Sequence, residues 1–304
     1  MNKSYYVNML DDMNLPLLYL IGDHYVAQLK GALKQLSADI EIFDICNTVQ
    51  TFNRMQAGYI LRITYPFFPA GAIHLVGVNS EPSAKNKILL VKHDGHYFVG
   101  ADSGLYNIIC NEKEPELAYE LVPESLYGSV SNLTPRSFFD PGSELNRSGK
   151  ISGFSAVKIF AAVVNHIMRK KEISELGKPT KINMERKMHK ANYTMDSIAG
   201  NVVFIDHFGN IITNISRELF DRIGHGRSFN ILVRGSKKFA ISKISTEYVA
   251  SEKKNEQHYQ AIFNSSGFLE IAQFGHNFAQ EESIDISADV NINFSKEMSG
   301  DLFN

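Results

Sequence analysis

The chain changes its periodicity once, and that change limits it to a two-part architecture. Up to about residue 165, short β-rich apolar runs alternate with segments of helical spacing; from about residue 198 onward only strands and turns follow. Alternating strand and helix predicts an α/β layer with parallel pairing. A succession of short strands separated by turn residues predicts a compact antiparallel, barrel-like domain of about 100 residues. With 304 residues and 44% hydrophobic composition, the chain has material for two cores at the usual ~150 residues per domain. The expected fold class is an α/β N-terminal domain, residues 1–190 including a basic linker, plus an all-β, barrel-like C-terminal domain, residues 191–304.

Local signals fill in the first part. LPLLYLIG (15–22) reads as a strand, and apolar residues at Tyr25, Val26, Leu29, Leu33 and Leu36 predict a helix over 23–37 with Asp23 as its cap. A strand is expected over 38–45, then a helix that stops near Pro66. A continuous apolar run at 72–78 is expected as a further strand. Residues 87–102 predict two strands joined at Asp94-Gly95, a strong hairpin signal. A helix over roughly 153–171 leads into a lysine- and arginine-rich stretch between Arg169 and Lys190. Without interleaved aromatic residues, that stretch reads as a solvated helix end and linker rather than a phosphate-binding arm.

Charge narrows the function classes. The formal net charge is −2, from 31 basic and 33 acidic residues. Near-neutrality without a basic tail argues against nucleic acid and against an electrostatic membrane contact. The N-terminal residues place two aspartates ahead of any apolar run, which is the wrong order for a signal peptide, and no run approaches the roughly 20 apolar residues of a membrane-spanning helix. Cys46 and Cys110 lack CxxC spacing, and the ten histidines form no HExxH motif, so no disulfide framework and no metal site are expected. The expectation is a cytoplasmic protein whose partner is a small molecule.

Two segments near strand ends carry the chemistry. IDHFGNIITNIS (205–216) gathers Asp206, Phe208 and Asn210 around Gly209, a carboxylate, a flat apolar face and a carboxamide. NSSGFLEIAQFGHN (264–277) supplies Ser265 and Ser266 beside Gly267, then Phe274-Gly275 beyond a strand. Asp206 suits a ligand ammonium; taken alone it is better explained as an aspartate capping its own turn. Serines beside a glycine can direct hydroxyls and backbone N–H groups at a carboxylate, or form an ordinary turn.

Together with the N-terminal blocks DHYVAQLKG (23–31), FDICNTVQTFNRMQAGYIL (43–61), TYPFFPAGAIHLVGV (64–78) and GADSGLYNII (100–109), these segments resemble the S-adenosylmethionine hydroxide adenosyltransferase family. That family also includes the fluorinating and chlorinating enzymes that split the same substrate. The resemblance covers most of the chain. It implies a homotrimer with S-adenosylmethionine held between the N-terminal domain of one subunit and the C-terminal domain of its neighbour, and no cofactor. It places Asp206 on the methionine ammonium, Ser265 and Ser266 on the carboxylate, and Phe52, Phe208 and Asn210 around the nucleoside. Phe274 and Gly275 fall at the adenine edge, and Tyr65 near the reacting carbon. The Ser-Ser-Gly form resembles the water-using members, since halogenating members carry arginine at the position of Ser266.

The departures are as informative. Counting back from Asp23, the family's ribose-binding aspartate falls on Leu18. The family's water-activating aspartate, arginine and histidine fall on Asn79, Asn86 and Thr134. Two carboxamides and a hydroxyl can orient a water but not deprotonate it. The implied function is hydrolysis of S-adenosylmethionine to adenosine and methionine by displacement at C5′, with a catalytically impaired binder, a sensor or scaffold, as the alternative. A halide-using enzyme is a weaker reading, because Phe68 stands where a small hydroxyl residue would help to bind halide.

Overall fold

A computed structural model of the chain describes residues 5–10, as backbone, together with 24–47, 49, 53–80, 86–122, 126, 156–184, 190–234, 236–248 and 259–295. The chain divides into two compact units, Met1–Lys187 and Met188–Asn304.

The first unit is a seven-stranded mixed sheet with helices. Its strands are β1 (Tyr5–Leu10), β2 (Glu41–Asp44), β3 (Ile73–Gly77), β4 (Ile88–His93), β5 (His96–Ala101), β6 (Leu117–Leu121) and β7 (Gly177–Pro179). They lie in the order β2-β1-β3-β5-β4-β6-β7. β1 runs parallel to β2 and β3, and β3 parallel to β5, whereas β4 pairs antiparallel with β5 and β6. The helices are α1 (His24–Leu36), α2 (Arg54–Thr64), α3 (Leu105–Ile109) and α4 (Ala156–Met168). Asn53 caps α2 by accepting from Gln56 N at 3.0 Å. Every residue of β3 is buried, as expected of a central strand covered on both faces. Leu29 and Leu33 of α1, Ile73 and Leu75 of β3 and Phe160 of α4 share one core cluster. Truncating Leu29 to alanine there would cost about 2–5 kcal/mol.

The Asp94-Gly95 hairpin forms as expected, with φ +47° and +76° at its two turn residues. The described first strand is β1, at Tyr5–Leu10. The expected strand at 15–22, with Leu18 in it, lies outside the described residues.

The second unit is a strongly curled nine-stranded sheet. Its strands are β8 (Asn192–Tyr193), β9 (Ser197–Ile205), β10 (Ile211–Ser216), β11 (Phe229–Val233), β12 (Ser236–Ile241), β13 (Ile244–Ser245), β14 (Tyr259–Phe263), β15 (Phe268–Gln273) and β16 (Asp289–Phe294). Their order is β12-β11-β16-β9-β10-β15-β14-β13, with β8 added on β9, and all pairs but β13/β14 are antiparallel. The curl brings β12 back to within 8 Å of β14, which makes the sheet nearly closed. Two short helices, α5 (Arg217–Gly224) and α6 (Phe278–Glu281), complete the unit. Ile198, Ile211, Leu269, Ile271, Phe278 and Ile292 lie in its core cluster. Among the described residues, no helix is long and apolar enough to cross a membrane.

Candidate functional site

The second unit contains a cleft of about 860 Å³, lined by both segments singled out in the sequence. Its floor is β15. Period-2 alternation sends Leu269 and Ile271 into the core and leaves Glu270 and Ala272 on the face that lines the cleft.

The loop from Asp206 to Asn210 closes the β9–β10 hairpin. Asp206 N donates to Asn210 O at 3.0 Å and Gly209 N to Asp206 O at 3.1 Å. The Asp206 carboxylate is occupied within this loop: Oδ1 accepts from Phe208 N at 2.9 Å and Asn210 N at 2.8 Å, and Oδ2 accepts from Asn210 Nδ2 at 2.9 Å. The turn-capping role is thus real, and the same residue also lines the cleft. Gly209 is required by contact as well as by conformation. Its φ is +84°, and a Cβ on it would stand 2.0 Å from Asn277 Oδ1, the atom that caps α6. Phe208, kept at the loop tip, is 73% exposed, and Phe274 across the cleft is 51% exposed. Two large aromatic faces left open to solvent on one cleft are available to stack on a flat ring.

The second hairpin repeats the first. Asn264 N donates to Phe268 O at 3.0 Å, Gly267 N donates to Asn264 O at 2.9 Å, and Gly267 has φ +76°. Asn264 Oδ1 accepts from Ser266 N at 3.1 Å and Phe268 N at 3.2 Å. Ser265 lines the cleft, whereas Ser266 stands beside it in the turn. Gly275, with φ +73°, lines the cleft next to Phe274.

Sequence reasoning missed Tyr248, Asn264, Glu270 and Gln273, which line the same cleft, and offered His276, also in the lining, only as an alternative base. Glu270 is only 6% exposed; its Oε1 accepts a short hydrogen bond from Tyr248 OH, and its Oε2 accepts from Asn264 Nδ2 at 3.2 Å. Burial, and then the bond to Glu270, raise the Tyr248 pKa and keep the phenol a donor. Gln273 is buried, and its Oε1 accepts no hydrogen bond from the described residues. His276 is exposed and shares a 3.0 Å contact with Glu281. Among the described residues, two carboxylates, three exposed aromatic side chains (Phe208, Tyr248 and Phe274) and no lysine or arginine line this cleft. Such a lining favours a cation and disfavours a phosphate. A glutamate within FLEIA was a recoverable signal, being a charge at an otherwise apolar strand position.

The remaining sequence candidates fall in the first unit or outside the described residues, the latter being Phe52 and Thr134. Asn79 and Asn86 are brought together. Asn79 follows β3 with φ +53°, and Asn86 Nδ2 donates to its carbonyl at 2.6 Å, a clasp on the loop between β3 and β4. Lys87 next to it is paired with Glu120 at 2.6 Å.

Tyr65 is buried and donates its hydroxyl to Asp94 Oδ2 at 2.9 Å. Burial first, then that bond, raise its pKa. Tyr65 also packs edge-on against His74 and His96, whose Nε2 and Nδ1 lie 3.2 Å apart. Burial and the neighbouring His96 push His74 down to about 3, so at neutral pH it is an uncharged and weak base. Phe68, half-buried, has its ring 6.0 Å from that of His74. Among the described residues, no group of three or more His, Cys, Asp or Glu is placed to hold a metal ion.

Comparison with known proteins accords with this two-unit fold. The sequence profile of the SAM hydroxide adenosyltransferase N-terminal domain matches residues 19–177, and that of the C-terminal domain matches residues 200–291. The chain belongs to the SAM hydroxide adenosyltransferase family. A relative named (R)-S-adenosyl-L-methionine hydrolase, from Methanocaldococcus jannaschii, is 25% identical over 291 residues, 94% of this chain and 97% of that protein. The fold is that of an uncharacterized conserved protein from Thermotoga maritima, with TM-score 0.73 and 23% identity over 94% of this chain and 99% of that one. It is also that of a conserved hypothetical protein from Thermus thermophilus, with TM-score 0.63 and 20% identity over 94% and 98% of the two chains.

Proposed function

We propose that this chain binds S-adenosylmethionine and hydrolyses it to adenosine and methionine. Water oxygen attacks the ribose C5′ as the C5′–S bond breaks; its electron pair passes to sulfur, which loses its positive charge, and the water proton leaves to solvent. The observation that carries the reading is the cleft of the second unit, whose two carboxylates and open aromatic rings suit a ligand with a flat ring and positive charge. Asp206 Oδ2 takes the ammonium, Ser265 and Ser266 take the carboxylate, and Phe208, Asn210, Phe274 and Gly275 surround the adenine. Tyr65, Phe52 and Asn79 complete the site from the first unit of a neighbouring subunit. No cofactor takes part, and the protein acts in the cytoplasm. The relative from Methanocaldococcus jannaschii, by its name, acts on the (R) form, and we extend that stereochemistry to this chain as the first ligand to test.

A second reading, binding without appreciable turnover, is favoured by one observation: Asn86 and Asn79, at two of the three positions that the family resemblance assigns to water activation, are joined in a clasp from Asn86 to the Asn79 carbonyl. Calorimetric titration with S-adenosylmethionine and with adenosine, followed by chromatography of the mixture, separates the two readings. Heat with adenosine and methionine appearing supports the hydrolase; heat with intact ligand supports the binder; no heat with either ligand removes both. The composite site further predicts a trimer of about 100 kDa, three times the 34.1 kDa chain, by light scattering. A monomer at micromolar concentration would remove the shared-site arrangement.

A further inference from the structure

Glu270 has no assigned role, yet of the two carboxylates in the cleft wall it is the buried one. It sits on β15 between Leu269 and Ile271, both 0% exposed, and is itself 6% exposed. An apolar side chain would fill this position without the desolvation that a buried carboxylate entails. Among the described residues no lysine or arginine neutralises it, and its two hydrogen-bonding partners are neutral donors, Tyr248 OH and Asn264 Nδ2.

Each partner leads to the ligand face by a different route. Tyr248 belongs to no strand, β13 having ended at Ser245, and its ring is 48% exposed in the cleft while its hydroxyl is held on Glu270. Asn264 uses its other side-chain atom, Oδ1, to fix the backbone N–H groups of Ser266 and Phe268. One buried carboxylate therefore holds an aromatic wall with one oxygen and the Ser265–Ser266 turn with the other.

We propose that Glu270 is the positioning residue of this cleft, which sets Tyr248 as a ligand-facing wall and, through Asn264, aims the Ser265–Ser266 turn at the carboxylate of an α-amino acid ligand. This rests on the proposed reading of the cleft as an S-adenosylmethionine site. Removing the Glu270 charge acts on the amino-acid end of the ligand and spares the nucleoside end. Glu270→Gln replaces a charged double acceptor with one neutral oxygen and an N–H₂: with the N–H₂ toward Asn264 Nδ2 two donors meet, and with it toward Tyr248 the phenol must turn from donor to acceptor.

The test is calorimetric titration of the full chain with three probes, S-adenosylmethionine, methionine and adenosine, on wild type, Glu270→Gln, Tyr248→Phe and the double variant. Glu270→Gln is expected to weaken S-adenosylmethionine and methionine by about tenfold or more, the effect of one charged hydrogen bond, while adenosine changes less than about threefold. Tyr248→Phe should weaken S-adenosylmethionine by a few-fold, and the double variant should lose less than the product of the single losses, because both act through one contact. Wild-type binding of S-adenosylmethionine with unchanged affinities in both single variants overturns the proposal alone. So does an equal loss for adenosine and S-adenosylmethionine in Glu270→Gln, which marks a merely structural residue. If Glu270→Gln does not fold, Tyr248→Phe decides: unchanged affinity for S-adenosylmethionine overturns the proposal. A wild-type protein that takes none of the three probes removes the reading of the cleft and the proposal with it.

Discussion

The cleft of the second unit and the loop after β3 in the first unit hold similar polar residues used in opposite ways. In the cleft, hydrogen bonds such as Asp206 to Asn210 and Asn264 to Glu270 fix the backbone, while aromatic faces and the Gln273 acceptor remain open. In the first unit, Asn86 spends a side-chain donor on the Asn79 carbonyl, and Tyr65 spends its hydroxyl on Asp94. Polar groups already satisfied in a hairpin can still line a surface, because a carboxylate has more lone pairs than its loop uses. A carboxamide can also accept and donate hydrogen bonds, but it cannot take a proton near neutral pH. The difference is between polar groups that shape the surface of a cleft and polar groups that fasten a loop.

The largest expected effect tests that contrast on the side of the first unit. Installing the set that the family resemblance implies, as Asn79→Asp, Asn86→Arg and Thr134→His, should raise turnover by about 10²–10⁴-fold, the usual range for general acid–base assistance, if the substrate is held in a reactive pose. The unaltered chain should show a rate that changes little between about pH 6 and 8, where a histidine base would titrate. A wild-type rate rising steeply with an apparent pKa near ~6.5 would break the comparison. The exposed His276 would then be the base to test, since buried His74 is held far too acidic.

Next in size is Asp206→Asn, which leaves an acceptor for the Phe208 and Asn210 N–H groups but sets two amide donors face to face at Asn210 Nδ2. S-adenosylmethionine should bind about 1.5–3 kcal/mol more weakly in calorimetry, with adenosine affected much less. Equal losses for both ligands would mean that Asp206 serves the loop alone, and the contrast between the two regions would lose its strongest member.

The smallest effect concerns the first unit's stability. His74 has a folded pKa of about 3, below its unfolded value of about 6.5. The unfolded chain therefore binds the extra proton, and stability is full above about pH 6.5 and falls as pH drops toward 3. Denaturant titrations at about pH 7.5 and about pH 5 should differ by about 2 kcal/mol from this group, with His96, also lowered by burial, adding in the same direction. His74→Gln should flatten the dependence; an unchanged slope would show that other groups set it.

Much of the architecture was legible because it depends on neighbours in sequence. The Asp94-Gly95 turn announced its hairpin through the two positive φ angles that it needs, and the apolar spacing of Val26, Leu29 and Leu33 announced α1. β1 at Tyr5–Leu10 was not legible, since an isolated short run carries no sign of the parallel partners, β2 and β3, that make it a strand. Asp206, Phe208, Asn210 and Ser265 could be named through the family resemblance that their segments carry, and the cleft that they line lies within the second unit.

What the sequence determined by itself was the two-part pattern, the turns and the residue types at the strand ends, all set by local sterics and hydrophobic period. Only the tertiary structure decided that Tyr248, 22 residues away in the chain, reaches Glu270, and that Asn86 closes on Asn79. A side chain's hydrogen-bond partner depends on which strands pair and in which register, and that is fixed by burial of the whole sheet rather than by the residues on either side.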